Sequence, residues 1–111
     1  MNTIENNRLI AEFMGWKYNT NKSVMSYPLD DNSIFIGRHL TMNLKFHSSW
    51  DWLMAVVEKI ESDERYDVEI LQYGTIIMDN QKEIVNNVAD ISFDKKIEHT
   101  YDAVVEFIKQ F

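Results

Sequence analysis

The sequence lacks cysteine entirely and contains only one proline and three glycines among its 111 residues. The absence of cysteine excludes disulfides, thiolate metal sites and thiol nucleophiles, and it is typical of proteins that fold in a reducing compartment. No serine stands between glycines, as the nucleophile of a Ser-His-Asp hydrolase does. The sequence therefore contains no catalytic or metal motif of high specificity, and it predicts neither a cofactor nor a bound metal.

Long hydrophobic runs and clustered basic residues are also missing. Residues 1–8 lack the basic start and apolar stretch of a signal peptide, and no later segment approaches the length that crosses a membrane. We therefore expect a soluble, unprocessed protein of the cytosol. Eleven basic against eighteen acidic residues give a net charge of −7, without a basic stripe that would bind phosphates. Nucleic acid and membranes are not expected as partners.

What the sequence does contain is enough apolar material for one core. Hydrophobic residues make up 45% and aromatic residues 13% of the chain, which predicts a single domain over residues 1–111. Apolar positions that recur every three or four residues predict helices over about 4–14, 49–62 and 95–110, the first ending at Gly15. The last helix has the most regular pattern, formed by Ile97, Tyr101, Val104, Val105, Ile108 and Phe111.

Alternating apolar and polar residues predict a sheet. The alternation is clearest over Leu40–Phe46 and Tyr66–Ile70. A shorter strand is predicted over 75–78, and a weaker one over Ile84–Phe93 with an interruption at Asn86 and Asn87. Residues 16–32 are expected to form a loop or an irregular hairpin. Because the turns of the second half are too short for crossovers, its strands should run mainly antiparallel. The pattern predicts the α+β class, a layered sandwich of three helices and a mainly antiparallel sheet.

The segment Phe46–Trp52, at the start of the second helix, contains three aromatic residues, a histidine, two serines and an aspartate. Ser48 is predicted to cap the helix, with Asp51 as the reciprocal acid of a capping box. Trp50 falls on the apolar stripe and is predicted to lie in the core, whereas Trp52 is turned about 160° away from it. Three residues of the segment remain as candidates for contacting a ligand or partner: His47, Ser49 and Trp52.

Other candidates lie in the first half of the chain. Trp16 and Tyr18 are candidates for a stacking surface, and the alternative is packing between the first helix and the neighbouring loop. Arg38 and His39 are candidates for contacting a phosphate, and the alternative is an ordinary strand edge. The spacing of the three histidines matches no metal-ligand motif.

Several phrases of the sequence resemble a known family. Arg8–Trp16 and Phe46–Met54, the latter running into Val56–Ile60, are similar to segments of small phage and prophage proteins of the phage ABA-sandwich domain type. The chain departs from the commoner pattern at Lys45, where a proline is usual before the aromatic residue. The resemblance implies a small helix-sheet-helix domain that is encoded by a phage and works in the bacterial cytosol. It implies no reaction.

These observations favour a non-enzymatic phage or prophage accessory protein that acts by binding. Its expected partner is a nucleotide-like host signal that it sequesters or a host protein that it blocks, with a homo-oligomer as a possible form. Two alternatives stay open: a small phosphodiesterase or hydrolase using His39 or His47, and a virion or assembly component.

Overall fold

The computed structural model describes residues 3–19, 24–27, 37–40, 44–88 and 96–110. These residues form three helices and two three-stranded antiparallel sheets, which confirms the predicted α+β fold. The chain divides into two compact units, unit 1 over Met1–Lys45 and unit 2 over Phe46–Phe111. In chain order the elements are α1 (Thr3–Phe13), β1 (Lys17–Asn19), β2 (Val24–Tyr27), β3 (Gly37–Leu40), α2 (Trp50–Glu61), β4 (Tyr66–Leu71), β5 (Gly74–Asp79), β6 (Lys82–Val88) and α3 (Lys96–Lys109).

In unit 1, helix α1 ends at a glycine, as its sequence predicts. Gly15 has a φ of +88°, a left-handed conformation that residues with a Cβ disfavour. Its N–H donates to the Glu12 carbonyl at 3.0 Å, and the N–H of Trp16 donates to the Ala11 carbonyl at 2.9 Å. These two bonds form a Schellman motif, which satisfies carbonyls that the last helical turn leaves without partners.

Strands β1, β2 and β3 pair antiparallel in that order. The pairing of β1 with β2 confirms the irregular hairpin predicted between residues 16 and 32. The strand predicted over Leu40–Phe46 is wrong in its second half, because residues 44–48 form no strand.

Side-chain burial persists in this non-strand segment. Leu44 and Phe46 are 1% and 2% exposed, as the alternation predicts. The carbonyl of Leu44 accepts a hydrogen bond from Asn7 Nδ2 at 3.1 Å instead of pairing with a strand. An extended segment that is held by a side chain alternates in burial just as a strand does, so the pattern alone predicts burial but not backbone pairing.

The sheet of unit 2 is a meander in which β4, β5 and β6 follow one another. The central strand places Ile77 opposite Val68 on one side and Val85 on the other. The strands predicted over residues 66–70 and 75–78 are confirmed. The predicted interruption of β6 is wrong, because Asn86 and Asn87 pair with Ile76 and Thr75; the irregularity is a bulge one step earlier, between Ile77 and Met78.

Helix α3 covers one face of this sheet. The rings of Tyr66 and Phe107 meet edge to face with centroids 5.0 Å apart, and Thr75 and Ile77 are 0% exposed. Since side chains alternate along a strand, Ile76 and Met78 belong to the opposite face, where both are only half-buried. We call this opposite face the outer face.

The buried surface of α3 is wider than the stripe that its apolar residues predict. Ile97 and Ile108 are half-buried, whereas His99, Thr100 and Phe107 are buried. The reason is that α3 contacts α2 as well as the sheet, so that more than half of its circumference is covered. None of the described helices is long and apolar enough to cross a membrane.

Neighbouring isoleucines of β5 provide a matched test of which face is the core. Ile77→Ala should lower the free energy of unfolding by about 2–5 kcal/mol, because it leaves a cavity between α3 and the sheet. Ile76→Ala removes the same atoms from the half-buried outer face and should cost at most about 1.5 kcal/mol. Urea unfolding of both variants measures the difference, and equal losses would contradict the assignment of faces.

The turn between β5 and β6 contains backbone strain. Asn80 and Gln81 have φ angles of 50° and 70°, the left-handed values of a two-residue type I′ hairpin turn. Asparagine tolerates this conformation, but glutamine does so only at a cost.

Glycine at the second turn position should relieve this strain. We expect Gln81→Gly to raise the free energy of unfolding by about 0.5–1 kcal/mol. Gln72→Gly, in the turn between β4 and β5, is the matched control: the backbone there has no left-handed residue, and the added flexibility should lower stability by about 0.5–1 kcal/mol. Thermal unfolding of the two variants should shift in opposite directions.

Candidate functional site

Helix α2 begins at Trp50, and its N-cap is Ser49 rather than Ser48. Ser49 has the extended backbone of an N-cap, and its carbonyl accepts the first helical bond from the N–H of Leu53 at 3.0 Å. The side chain of Ser49 makes no capping bond. The prediction that Ser48 caps the helix is therefore wrong by one residue, because a turn over residues 46–48 comes first. A capping box is absent, since its acidic position is occupied by Trp52.

The burial of the two tryptophans of α2 differs from the burial that the sequence predicts. Trp50 is 38% exposed, so its prediction as a core residue is wrong. As the first helical residue it lies at the margin of the buried stripe, which is formed by Leu53, Val56, Val57 and Ile60. Trp52 is half-buried, with its ring edge-to-face against buried Phe46 at a centroid distance of 5.1 Å. Trp50 thus presents the larger accessible aromatic surface.

His47 is exposed just before α2 and lies against a buried tyrosine. The ring centroids of His47 and Tyr101 are 6.2 Å apart in an edge-to-face arrangement, and Tyr101 is 4% exposed. Burial raises the pKa of the Tyr101 phenol, and the negative charge of Asp102 raises it further. The phenol therefore keeps its proton at neutral pH and offers His47 an uncharged surface.

A polar network that sequence patterns did not predict lies between α3 and β5. His99 is 1% exposed and its Nδ1 is 2.7 Å from Thr75 Oγ1, which in turn is 3.0 Å from Thr100 Oγ1. The Thr100 hydroxyl donates to the Lys96 carbonyl at 2.8 Å. Because each hydroxyl has one proton, Thr75 must then donate to Thr100 and accept from His99. The network therefore selects the tautomer of neutral His99 that carries its proton on Nδ1.

The other ring nitrogen of His99, Nε2, is buried and has no hydrogen-bond partner among the described residues. In the tautomer selected by the network it is an acceptor without a donor. The spacing of the three histidines did not predict the buried polar network around His99. The signal that would have indicated burial is the four-residue spacing of His99, Ala103 and Phe107, which places all three on one side of α3.

Two substitutions of Thr75 test the network, one that keeps the shape of the side chain and one that keeps its hydroxyl. Thr75→Val leaves the His99 Nδ1–H without its acceptor and should cost about 1–3 kcal/mol of unfolding free energy. Thr75→Ser keeps the hydroxyl and should cost less, chiefly through the lost methyl group. Urea unfolding gives the energies, and the imidazole ¹⁵N shifts of the unmodified protein should report the Nδ1–H tautomer. A valine variant as stable as the serine variant would refute the network.

A chain of contacts places several exposed apolar residues at one end of unit 2. Tyr101, which contacts His47, follows two residues after His99, and His99 contacts Thr75 at the start of β5. The turn between β4 and β5 directly precedes Thr75. The start of α2, the first half of α3 and the β4–β5 turn therefore lie at the same end.

Three of the four large hydrophobic side chains that are exposed in the described residues lie at this end. Four large hydrophobic side chains are exposed in the described part of the chain: Ile4, Trp50, Leu71 and Tyr73. Leu71 and Tyr73 are each 47% exposed; Leu71 is the last residue of β4 and Tyr73 lies in the β4–β5 turn. Trp50 begins α2 at the same end. We call the group of His47, Trp50, Leu71 and Tyr73 the aromatic end.

The opposite end of unit 2 is charged. Arg65 donates two hydrogen bonds to the Asp79 carboxylate, at 3.0 Å and 2.7 Å, and its carbonyl accepts the N–H of Asn80 at 2.7 Å. The guanidinium holds the pKa of Asp79 below its usual value through this bidentate contact. Since the Arg65 side chain is 50% exposed and the Asp79 side chain 22%, the pair aligns two neighbouring turns more than it stabilises the fold. Unit 2 therefore exposes large apolar side chains at one end and has this ion pair at the other.

The remaining sequence candidates belong to unit 1. Trp16 is half-buried directly after α1. In the strand register Tyr18 and His39 both lie opposite Met25, from β1 and β3 respectively, and Arg38 lies opposite Ser26. The register thus brings the backbones of Tyr18 and His39 into one row, separated by a single strand. His47, Ser49 and Trp52 form a second group, in unit 2.

The described residues contain no group of three His, Asp or Glu side chains that could hold a metal ion. Comparison with known proteins adds no assignment. No family model matches the chain, and no curated protein or solved structure is significantly similar to it. The resemblance to phage ABA-sandwich proteins therefore stays a prediction, and function has to be inferred from the residues themselves.

Proposed function

We propose that this protein acts by binding another protein through the aromatic end of unit 2, as a phage or prophage accessory protein that blocks a host component. The observation that carries the proposal is the position of Trp50, Leu71 and Tyr73, three of the four large hydrophobic side chains exposed in the described chain, at one end. Scattered single hydrophobic residues are normal on a protein surface. A group of them indicates an interaction site.

The composition of the aromatic end favours a protein partner. Tryptophan and tyrosine are the residues most enriched at the energetic centres of protein interfaces. Leu71 adds aliphatic surface that a flat nucleotide base would not need. Asp51, exposed beside Trp50, would repel the phosphates of a nucleotide, and the net charge of −7 would add to that repulsion.

The side chains of the aromatic end are held in place by the fold, which favours a role in binding. His47 packs on buried Tyr101, and Trp50 lies in the first turn of α2, at the margin of the buried stripe of that helix. Leu71 is held by strand pairing with Gly74, and Tyr73 belongs to the two-residue turn that this pairing closes. Preorganised side chains lose little conformational entropy on association, which is what a binding surface requires.

The host cytosol is the compartment in which we place this interaction, as the lack of cysteine suggests. The chain itself is a possible partner, since an exposed apolar end can also join two copies. The oligomeric state of the protein is therefore measured as part of the test.

The double variant Trp50→Ala, Tyr73→Ala tests the proposal. The tagged protein is used to capture partners from a lysate of the host bacterium, and the affinity of the purified partner is then measured by calorimetry. We expect the double variant to weaken binding by at least about 30-fold, a loss of about 2 kcal/mol, because both rings belong to the contact. Thermal unfolding should change little, since both side chains are exposed.

Ile4→Ala is the matched control, because Ile4 is a similarly exposed apolar residue of unit 1 at 51%. It should leave the affinity unchanged. Full binding by the double variant would contradict the proposal, as would a protein that remains monomeric in native mass spectrometry and captures no partner. Recovery of an intact nucleotide from the denatured complex would favour the sequestering function instead. Recovery of a chemically converted nucleotide would favour the enzyme.

A further inference from the structure

The outer face of the β4-β5-β6 sheet has exposed side chains on both of its edge strands. Helix α3 packs on the other face, through Thr75, Ile77 and Tyr66. The strand register places these residues on the outer face: Asp67, Glu69 and Leu71 of β4, Gly74, Ile76 and Met78 of β5, and Glu83 and Asn86 of β6.

Charge and apolar surface are arranged in rows on this face. Ile76 and Met78 form a half-buried apolar row along the central strand. Asp67 and Glu69 flank that row on the β4 side, and Glu83 flanks it on the β6 side, all three exposed. The strands place no lysine or arginine on this face, since their one basic residue, Lys82, lies opposite Asp79 on the other face.

The dimensions of the face match one helix. Three strands spaced about 4.8 Å apart give a width of about 10 Å, which is the diameter of an α-helix. Six residues of strand extend about 20 Å, the length of about 13 helical residues. A helix with one apolar stripe would cover Ile76 and Met78, and basic residues on both sides of that stripe would meet the flanking carboxylates.

We propose that the outer face docks a basic amphipathic helix of the partner protein. This inference rests on the proposed function in one respect: Leu71 belongs both to the outer face and to the aromatic end, so that one partner would cover the two surfaces continuously. The carboxylates would select the partner by charge complementarity, and the apolar row would supply the buried contact.

A synthetic helix tests the docking directly. The probe is an 18-residue peptide with a leucine stripe flanked by lysines, and its control has glutamates in place of the lysines. We expect the lysine peptide alone to bind, with weaker affinity at higher salt. Methyl NMR signals of Leu71, Ile76 and Met78 should shift on binding, because these side chains would line the contact.

Charge-reversal variants distinguish binding at the outer face from general attraction of a basic peptide to an acidic protein. Asp67→Lys with Glu69→Lys should weaken peptide binding by at least about 10-fold, because two flanking carboxylates become repulsive. Glu58→Lys with Glu106→Lys makes the same change in net charge at exposed positions of α2 and α3, and it should weaken binding by less than about threefold. Thermal unfolding of both double variants verifies that they fold.

Three results would overturn the inference: methyl shifts confined to other surfaces, equal weakening by the two charge reversals, or equal binding of the glutamate peptide. The proposed function fails by a different result, namely that the Trp50→Ala, Tyr73→Ala variant retains its captured partner. That variant should bind the lysine peptide normally, because neither ring lies on the outer face. The two claims can therefore fail separately.

Discussion

Burial of Ile77 between the flanking strands and beneath α3 is the constraint on which the arrangement of unit 2 depends. It determines which face of the meander is the core, because alternation then assigns every other residue of the three strands. The contacts of α3 with Thr75 near its start and Tyr66 near its end fix the direction in which it crosses the sheet. The aromatic and charged ends follow from that direction.

Leaving large apolar side chains exposed has an energetic cost. Complete burial of such a side chain contributes about 1.5–3 kcal/mol, and the fold forgoes roughly half of this at Leu71 and at Tyr73, which are each 47% exposed. Elsewhere in the unit, the His99–Thr75–Thr100 network satisfies buried hydroxyls and His99 Nδ1. Under the proposed function, a partner covers the apolar side chains that one end of the unit exposes. The acidic rows of the outer face extend that explanation to the partner's charge.

Sequence patterns predicted the fold better than the site. All three helices and the meander followed from periodicity, because they are formed by residues that a single buried face selects. The cap of α2 lies one residue later than predicted, and Trp50 is exposed because it lies in the first turn, at the margin of the buried stripe. The sequence did not single out Leu71 and Tyr73, since the packing of α3 is what places the β4–β5 turn at the same end as the start of α2. His99 was equally hidden, because its environment consists of residues distant in sequence.

Oxidative footprinting of the protein, free and bound to its captured partner, tests the central claim most directly. The account predicts that Trp50 and Tyr73 react readily in the free protein, since both are exposed, and that both are protected in the complex. Unchanged reactivity at these two residues, with protection elsewhere on the chain, would contradict binding through the aromatic end.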